Sequence, residues 1–226
     1  MPNVSLPDFC THLPADLTRR EQLLLRLTGG LLRRADLLVF SSAWQAQLAE
    51  RLYGPFKAAT AIENPNGPRE KSSPSIRKIF LLAGRGIRFK NVDRFRRAFA
   101  KAQQLVPDLD LEVGSWPRYQ YLEKLKTCYA VAIPSISEVT PNNALDAARY
   151  AKPVILTREC AYADRFGKAA IVVDPRSEAD MQAAVVRLAD ESYYRSAAAA
   201  AANMPTDRSF TDVAADFMSA LRTVCR

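Results

Sequence analysis

Between residues 79 and 224, short apolar runs alternate with amphipathic stretches, and this alternation constrains the fold more than anything else in the chain. The runs fall at residues 79–83, 129–133, 154–156 and 171–173, and residues 109–113 (LDLEV) read as a further strand. After the first of them, Val92, Phe95, Phe99, Ala102 and Val106 make one stripe of a helix that Asn91 can cap. Further helices are expected around residues 121–127, 141–151 and 179–189, and residues 193–203 and 211–224 close the chain as helices. Strands that are apolar throughout are buried on both faces, as in parallel sheet covered by helices. The expected fold is therefore α/β: a Rossmann-like parallel sheet with flanking helices.

Upstream, Thr18 and Glu21 are spaced as a capping box that opens a Leu-rich helix, which Gly29-Gly30 should loosen or break. Residues 36–41 predict a buried strand. Trp44, Leu48 and Leu52 mark a helix that Gly54-Pro55 ends, and residues 59–63 are strand-like. Residues 64–75 (NPNGPREKSSPS) read as a linker, dense in Pro, Ser and Asn. A Rossmann-like half needs roughly 100 residues or more. Residues 1–64 thus read as a truncated N-terminal α/β segment, 65–75 as linker and 76–226 as the main domain, whose last helices could pack back on the first segment.

Apolar residues make up 48% of the 226 and charged residues 25%, the balance of a soluble globular protein. No apolar run approaches the roughly 18–20 residues a membrane helix needs. The first positive charge is Arg19, so a basic secretory start is not expected, and four scattered cysteines without a CxxC suit reduced thiols in a cytoplasm. The net charge of +8 is concentrated: residues 65–104 hold 11 Lys/Arg against 2 acids. Such a patch implies an anionic partner.

Ligands of open α/β sheets bind beyond the carboxyl ends of strands, which directs attention to two loops. The first, Gly84-Arg85-Gly86-Ile87-Arg88-Phe89-Lys90, combines small residues with the cations Arg85 and Lys90 ahead of a helix N-terminus. It is not a dinucleotide fingerprint, because Phe89 stands where the third glycine would be. The second runs from Pro134-Ser135 through Glu138 to Thr140-Pro141-Asn142-Asn143 and Asp146. Thr140 before Pro141 suits the start of a helix, where the amides of Asn142 and Asn143 would be free for an anion. Glu138 and Asp146 could then reach hydroxyls at two ends of one ligand. The plainer alternatives are a solvated basic loop and two acids with local or surface roles.

These residues, in order, resemble the nucleotide-sugar-binding half of GT-B glycosyltransferases of the group-1 (family 4) type, which are retaining enzymes. The resemblance rests on Gly84-Arg85 with Lys90-Asn91, on Pro134-Ser135 with Glu138 and Asp146, on Lys152-Pro153-Val154-Ile155, and on Val172-Val173-Asp174-Pro175. Upstream, Asp36 to Ser42 and Ile62-Glu63-Asn64-Pro65 resemble the end of the family's acceptor domain. The resemblance implies that Arg85 and Lys90 neutralise the donor diphosphate and that Glu138 holds the transferred sugar. It also implies that Asp146 binds the ribose, while Gly84, Ser135, Thr140, Pro141, Asn142 and Asn143 complete the donor site. No metal or cofactor is implied; the donor substrate is a nucleoside-diphosphate sugar and the acceptor a glycan or lipid-linked molecule. Asp108-Leu109-Asp110 looks like an acidic metal motif but precedes a strand, and reads as surface.

Several positions depart from the family's pattern. Asp146 stands where Glu is usual, Ala151 where glycine is usual, and the chain has only 8 glycines. His12, the single histidine, has no partner acid at a telling spacing. The short first segment fits a shortened reading frame, a split enzyme whose acceptor domain is a separate subunit, or a non-catalytic donor-binding or interaction module. Arg94, Arg96, Arg97 and Lys101 share a helix with Phe95 and Phe99, but those aromatics lie on the core stripe, which disfavours nucleic acid as a partner. The same helix suits peripheral contact with anionic lipid at the inner face of a plasma membrane.

Overall fold

The computed structural model describes residues 18–73, 75, 77–84 and 88–225, apart from the side chain of Glu21. The chain forms two compact units. One comprises the described residues up to Pro65 together with those from Arg208 onward; the other spans Asn66–Asp207.

The larger unit holds five parallel strands, β3 (Lys78–Ala83), β4 (Leu109–Gly114), β5 (Ala130–Ile133), β6 (Val154–Thr157) and β7 (Ala170–Val173), in the order β4-β3-β5-β6-β7. Every pairing is parallel; Phe80 faces Ala130, and Val131 faces Val154. The central strands β3, β5 and β6 are apolar and largely buried, as expected for a sheet covered on both sides, whereas the edge strand β4 carries Asp110 and Glu112 and buries only Leu109. On one face lie α3 (Val92–Leu105) and α7 (Glu178–Ala189). There Phe95, Phe99, Met181 and Leu188 pack on Phe80, whose ring meets Phe99 edge-on at 5.3 Å. On the other lie α4 (Arg118–Thr127) and α5 (Asn142–Arg149), whose Tyr121, Leu125, Leu145 and Ala148 pack on Val131, Val154 and Leu156. Helix α6 (Ala163–Phe166) is a single turn before β7, absent from the sequence reading because four residues carry no period.

Helix α8 (Glu191–Ala202) carries the six-alanine run Ala197 to Ala202. Small side chains let it pack closely, with Ala197 in one core and Ala201 in the other. Residues 66–73 have linker composition but are firmly held. Arg69 donates to the carbonyls of Ala148 and Met204, both at 2.7 Å. The Glu70 amide bonds to Arg149 O, the Ser73 amide bonds to Lys126 O, and buried Lys152 donates to Ser73 O.

In the smaller unit, β1 (Leu38–Phe40) and β2 (Ala59–Ala61) pair in parallel beside α1 (Arg19–Leu32) and α2 (Ala43–Tyr53). The expected break at Gly29-Gly30 does not occur, and α1 runs through both glycines. A Cβ on Gly29 would sit 3.2 Å from the Tyr53 ring, so the glycine lets α2 approach closely. Helix α9 (Phe210–Arg222) opens with a capping box between Ser209 and Asp212.

Candidate functional site

The chain leaves β3 toward β4 at the sheet's edge, then returns past β3 to β5. Connections leaving β3 and β5 therefore depart to opposite faces, and a crevice opens between the carboxyl ends of these two strands. Both loops singled out in the sequence end there. The Ile136 amide donates to Phe89 O at 2.7 Å, and Lys90 Nζ lies 2.7 Å from Glu138 Oε2.

Gly84 closes β3 where a side chain has no room, since an added Cβ would meet Val92 Cγ2 at 2.5 Å. A 3-10 turn over Arg88–Lys90 then aims Lys90 across the crevice. Asn91 precedes α3 but does not cap it with its side chain. Its backbone is left-handed (φ 58°), and its buried amide donates to Pro134 O at 2.9 Å and Pro175 O at 2.6 Å. One carboxamide thereby ties together the loops after β3, β5 and β7.

Glu138 is fixed by a short parallel bridge. Its amide donates to Glu159 O, and its carbonyl accepts from the Ala161 amide. Ser135 Oγ adds a bond of 3.0 Å to Glu138 Oε2, the oxygen Lys90 holds. Among the described residues no donor meets Oε1, and Glu138 lines a pocket of about 170 Å³ with Lys90, Thr140, Pro141, Asn142 and Asn143. Behind it, burial pushes the Cys160 thiol up to about 12. Ser137 Oγ is buried and, among the described residues, without a hydrogen-bond partner.

The start of α5 differs from the expectation in detail. Pro141, not Thr140, occupies the capping position, with no side-chain cap, and its carbonyl accepts from Ala144 and Leu145. The Asn142 amide is not free, because it donates to Thr140 O at 2.9 Å. Among the described residues the Asn143 amide meets no backbone acceptor, so one donor rather than two is open at this helix end.

Asp146 lies one turn further along α5 and is 3% exposed. Arg118 grips it with two nitrogens, at 2.6 Å and 2.8 Å, and Arg149 adds a contact of 3.4 Å. The bond to Asp146 raises the Arg118 pKa above its usual value. Arg118 also lines a cleft of about 450 Å³ with Lys90, Trp116, Tyr121 and Asn143. Trp116 and Tyr121 stack there with centroids 6.5 Å apart, and Lys124 Nζ sits 5.2 Å from the Trp116 ring centre. The two hollows share Lys90 and Asn143.

The structure thus brings Gly84, Lys90, Ser135, Glu138, Thr140, Pro141, Asn142 and Asn143 to one crevice, and joins Asp146 to it through Arg118. Arg85 and His12 lie outside the described residues. Asp108 and Asp110 form surface ion pairs with Lys78 and Arg77. Among the described residues no cluster of His, Cys, Asp or Glu could hold a metal, and no helix is long and apolar enough to cross a membrane. Sequence reasoning missed Arg118, Trp116, Tyr121 and the staple at Asn91. Arg118 is 28 residues from Asp146, with no periodicity linking them.

No protein-family description and no curated protein sequence matches the chain. Solved structures do match. Sucrose-phosphate synthase from Thermosynechococcus elongatus superposes with a TM-score of 0.74 at 15% identity, over 97% of this chain and 66% of that one. HepE from Anabaena, solved with UDP and glucose, gives 0.72 at 15% identity, over 89% and 67%. The pneumococcal O-GlcNAc transferase GtfA, solved with UDP and GlcNAc, gives 0.65 at 12% identity, over 94% and 49%. The chain has a GT-B glycosyltransferase fold. It spans from about half to two thirds of the lengths of these GT-B proteins, and residues 66–207 carry the parallel sheet that places the crevice.

Proposed function

We propose that this chain supplies the donor site of a retaining, metal-independent glycosyltransferase, moving a sugar from a nucleoside diphosphate to a glycan or lipid-linked acceptor. One observation carries the reading: Lys90 and Glu138 meet across the crevice where β3 and β5 diverge, beside an open amide at the start of α5. When the bond between sugar and phosphate breaks, negative charge grows on the departing diphosphate. A cation in a confined cleft stabilises that charge more than it would in water, and a helix N-terminus adds to it. Lys90 takes this role, with Arg85 as its partner from the sequence. Glu138, with one oxygen already held by Lys90 and Ser135, offers the other to the sugar hydroxyls. Trp116 and Tyr121 supply an apolar wall suited to a nucleobase, and Asp146 with Arg118 faces the ribose and the adjoining phosphate.

UDP and glucose bound to HepE, and UDP and GlcNAc bound to GtfA, support a donor of this class. A cytoplasmic site of action belongs to this reading. Isothermal titration with UDP, GDP and their sugars tests the proposal, with Arg85→Ala, Lys90→Met and Glu138→Gln as controls. Binding of one nucleotide, weakened at least tenfold by Lys90→Met, is expected; a folded protein that binds none refutes the proposal.

A second reading is a donor-binding or interaction subunit that needs a partner carrying the acceptor domain. The internal pairing of both acids, Glu138 with Lys90 and Asp146 with Arg118, favours it. Sugar transfer or donor hydrolysis by the isolated chain would rule it out.

A further inference from the structure

A second hollow, larger than either donor pocket, lies on the α3 side of the sheet. It measures about 680 Å³ and contains five arginines, Arg88, Arg94, Arg96, Arg97 and Arg176, against one acid, Asp93. Among the described residues, Gly84 and Gly114 line both this hollow and the donor cleft.

Most of this charge is uncompensated. Among the described residues no acid pairs with Arg88 or Arg176, and both are exposed. Arg94 donates to two neutral oxygens, Pro175 O and Asn91 Oδ1, which fix its position and leave its charge intact. Arg96 has only a 3.8 Å contact with exposed Asp93, and Glu178 is shared between Arg97 and Lys101. Like charges gathered in a concave hollow repel one another and focus a positive potential into it, a cost that a bound anion relieves.

The frame is also fixed. Asn91 holds Pro134 O and Pro175 O, and Arg94 holds Pro175 O a second time, so the loop bearing Arg176 is anchored to the head of α3. Guanidinium groups from three segments, the turn after β3, helix α3 and the loop after β7, therefore face one space. Arginine's planar fork suits phosphate oxygens. A hollow of this volume accommodates a discrete molecule rather than a flat lipid sheet.

We propose that this groove is a second anion site, distinct from the donor cleft, which takes a small molecule bearing more than one phosphate group. The proposal does not depend on the glycosyltransferase reading, because none of these arginines belongs to the donor machinery.

Inorganic tripolyphosphate is the probe, titrated calorimetrically into the full chain at low and moderate salt. Binding that weakens with salt is expected in the parent and in Lys90→Met. The double variant Arg88→Ala/Arg176→Ala should bind tripolyphosphate at least tenfold more weakly, with an unchanged thermal melt and unchanged UDP binding. Substituting these two exposed, unpartnered side chains leaves the cores intact. Equal affinity in the double variant, or loss of all binding in Lys90→Met, would overturn the proposal. So would binding to phosphatidylserine vesicles or to single-stranded oligonucleotide without binding to tripolyphosphate, which would assign the patch to a lipid or nucleic-acid surface.

Discussion

Ala151 sits at φ 54°, where a Cβ crowds the following carbonyl. That conformation costs an ordinary residue about 1–2 kcal/mol and glycine almost nothing. The family resemblance expects glycine here, and the backbone supplies the reason. Ala151→Gly should relieve that strain but lose about 0.4–1 kcal/mol of it to a freer unfolded chain. A net gain of about 0–1.6 kcal/mol in urea unfolding is expected, and a loss would contradict the strained geometry. Thiols give a second test. Burial pushes both Cys128 and Cys160 up to about 12, whereas Cys225 is exposed. At pH 8 a thiol of that pKa is thiolate in roughly one molecule in ten thousand. Iodoacetamide followed by peptide mapping should label Cys225 in the native protein, and Cys128 and Cys160 only after unfolding. At this scale the sequence pointed to Lys90 and Glu138, because each lies in a recognisable loop after a strand, and the two meet at 2.7 Å. It concealed Arg118, because a pair formed across two helices leaves no local pattern.

At the scale of elements, the end of β3 and the head of α3 approach so closely that Gly84 has no room for a methyl group. Gly84→Ala should cost about 1–3 kcal/mol through overpacking. Trimming the opposing side chain in Gly84→Ala/Val92→Ala should recover part of that cost, and a double-mutant cycle measures the coupling. Additive effects would show that the clash is not between these two residues. All five strands of the larger sheet were legible: four are apolar runs bounded by polar residues, β4 sets Asp110 and Glu112 between Leu109, Leu111 and Val113, and the helices between them carried the 3.6-residue period. Two local signals misled. Gly29 looked like a helix breaker, yet it is the point of contact with Tyr53. Asn91 looked like a cap, yet its amide is spent on two carbonyls, Pro134 O and Pro175 O, that belong to other loops. In both cases a tertiary contact overrode a local preference, and no local rule reports such contacts.

At the scale of the molecule, the strand order could not be read from the chain. Alternation dictates parallel strands but not the return past β3 that opens the crevice. Nor does composition show where the larger unit begins. Residues 66–73 have the Pro, Ser and Asn content of a free connector, yet Arg69 satisfies two carbonyls, at Ala148 and Met204, and the Asp207 amide closes on Gly67 O at 2.7 Å. This segment straps the beginning of the unit to its end. Both of the sheet's cores, and every described residue of the candidate site, lie within Asn66–Asp207. A fragment of residues 66–207 should therefore unfold in one cooperative transition and bind nucleotide within about threefold of the full chain. A fragment begun at residue 76 leaves the carbonyls of Met204 and Arg149 to find other partners or water, whereas Ala148 O keeps the Ala151 amide. Each buried carbonyl left unbonded costs about 1–3 kcal/mol, so this shorter fragment should be less stable by about 2–6 kcal/mol, and Arg69→Ala in the longer one, which strands Met204 O, by about 1–3 kcal/mol. Equal urea midpoints for the two fragments would mean that the strap is an ordinary linker. A lower midpoint with nucleotide binding retained would show that the strap stabilises the sheet without shaping the crevice.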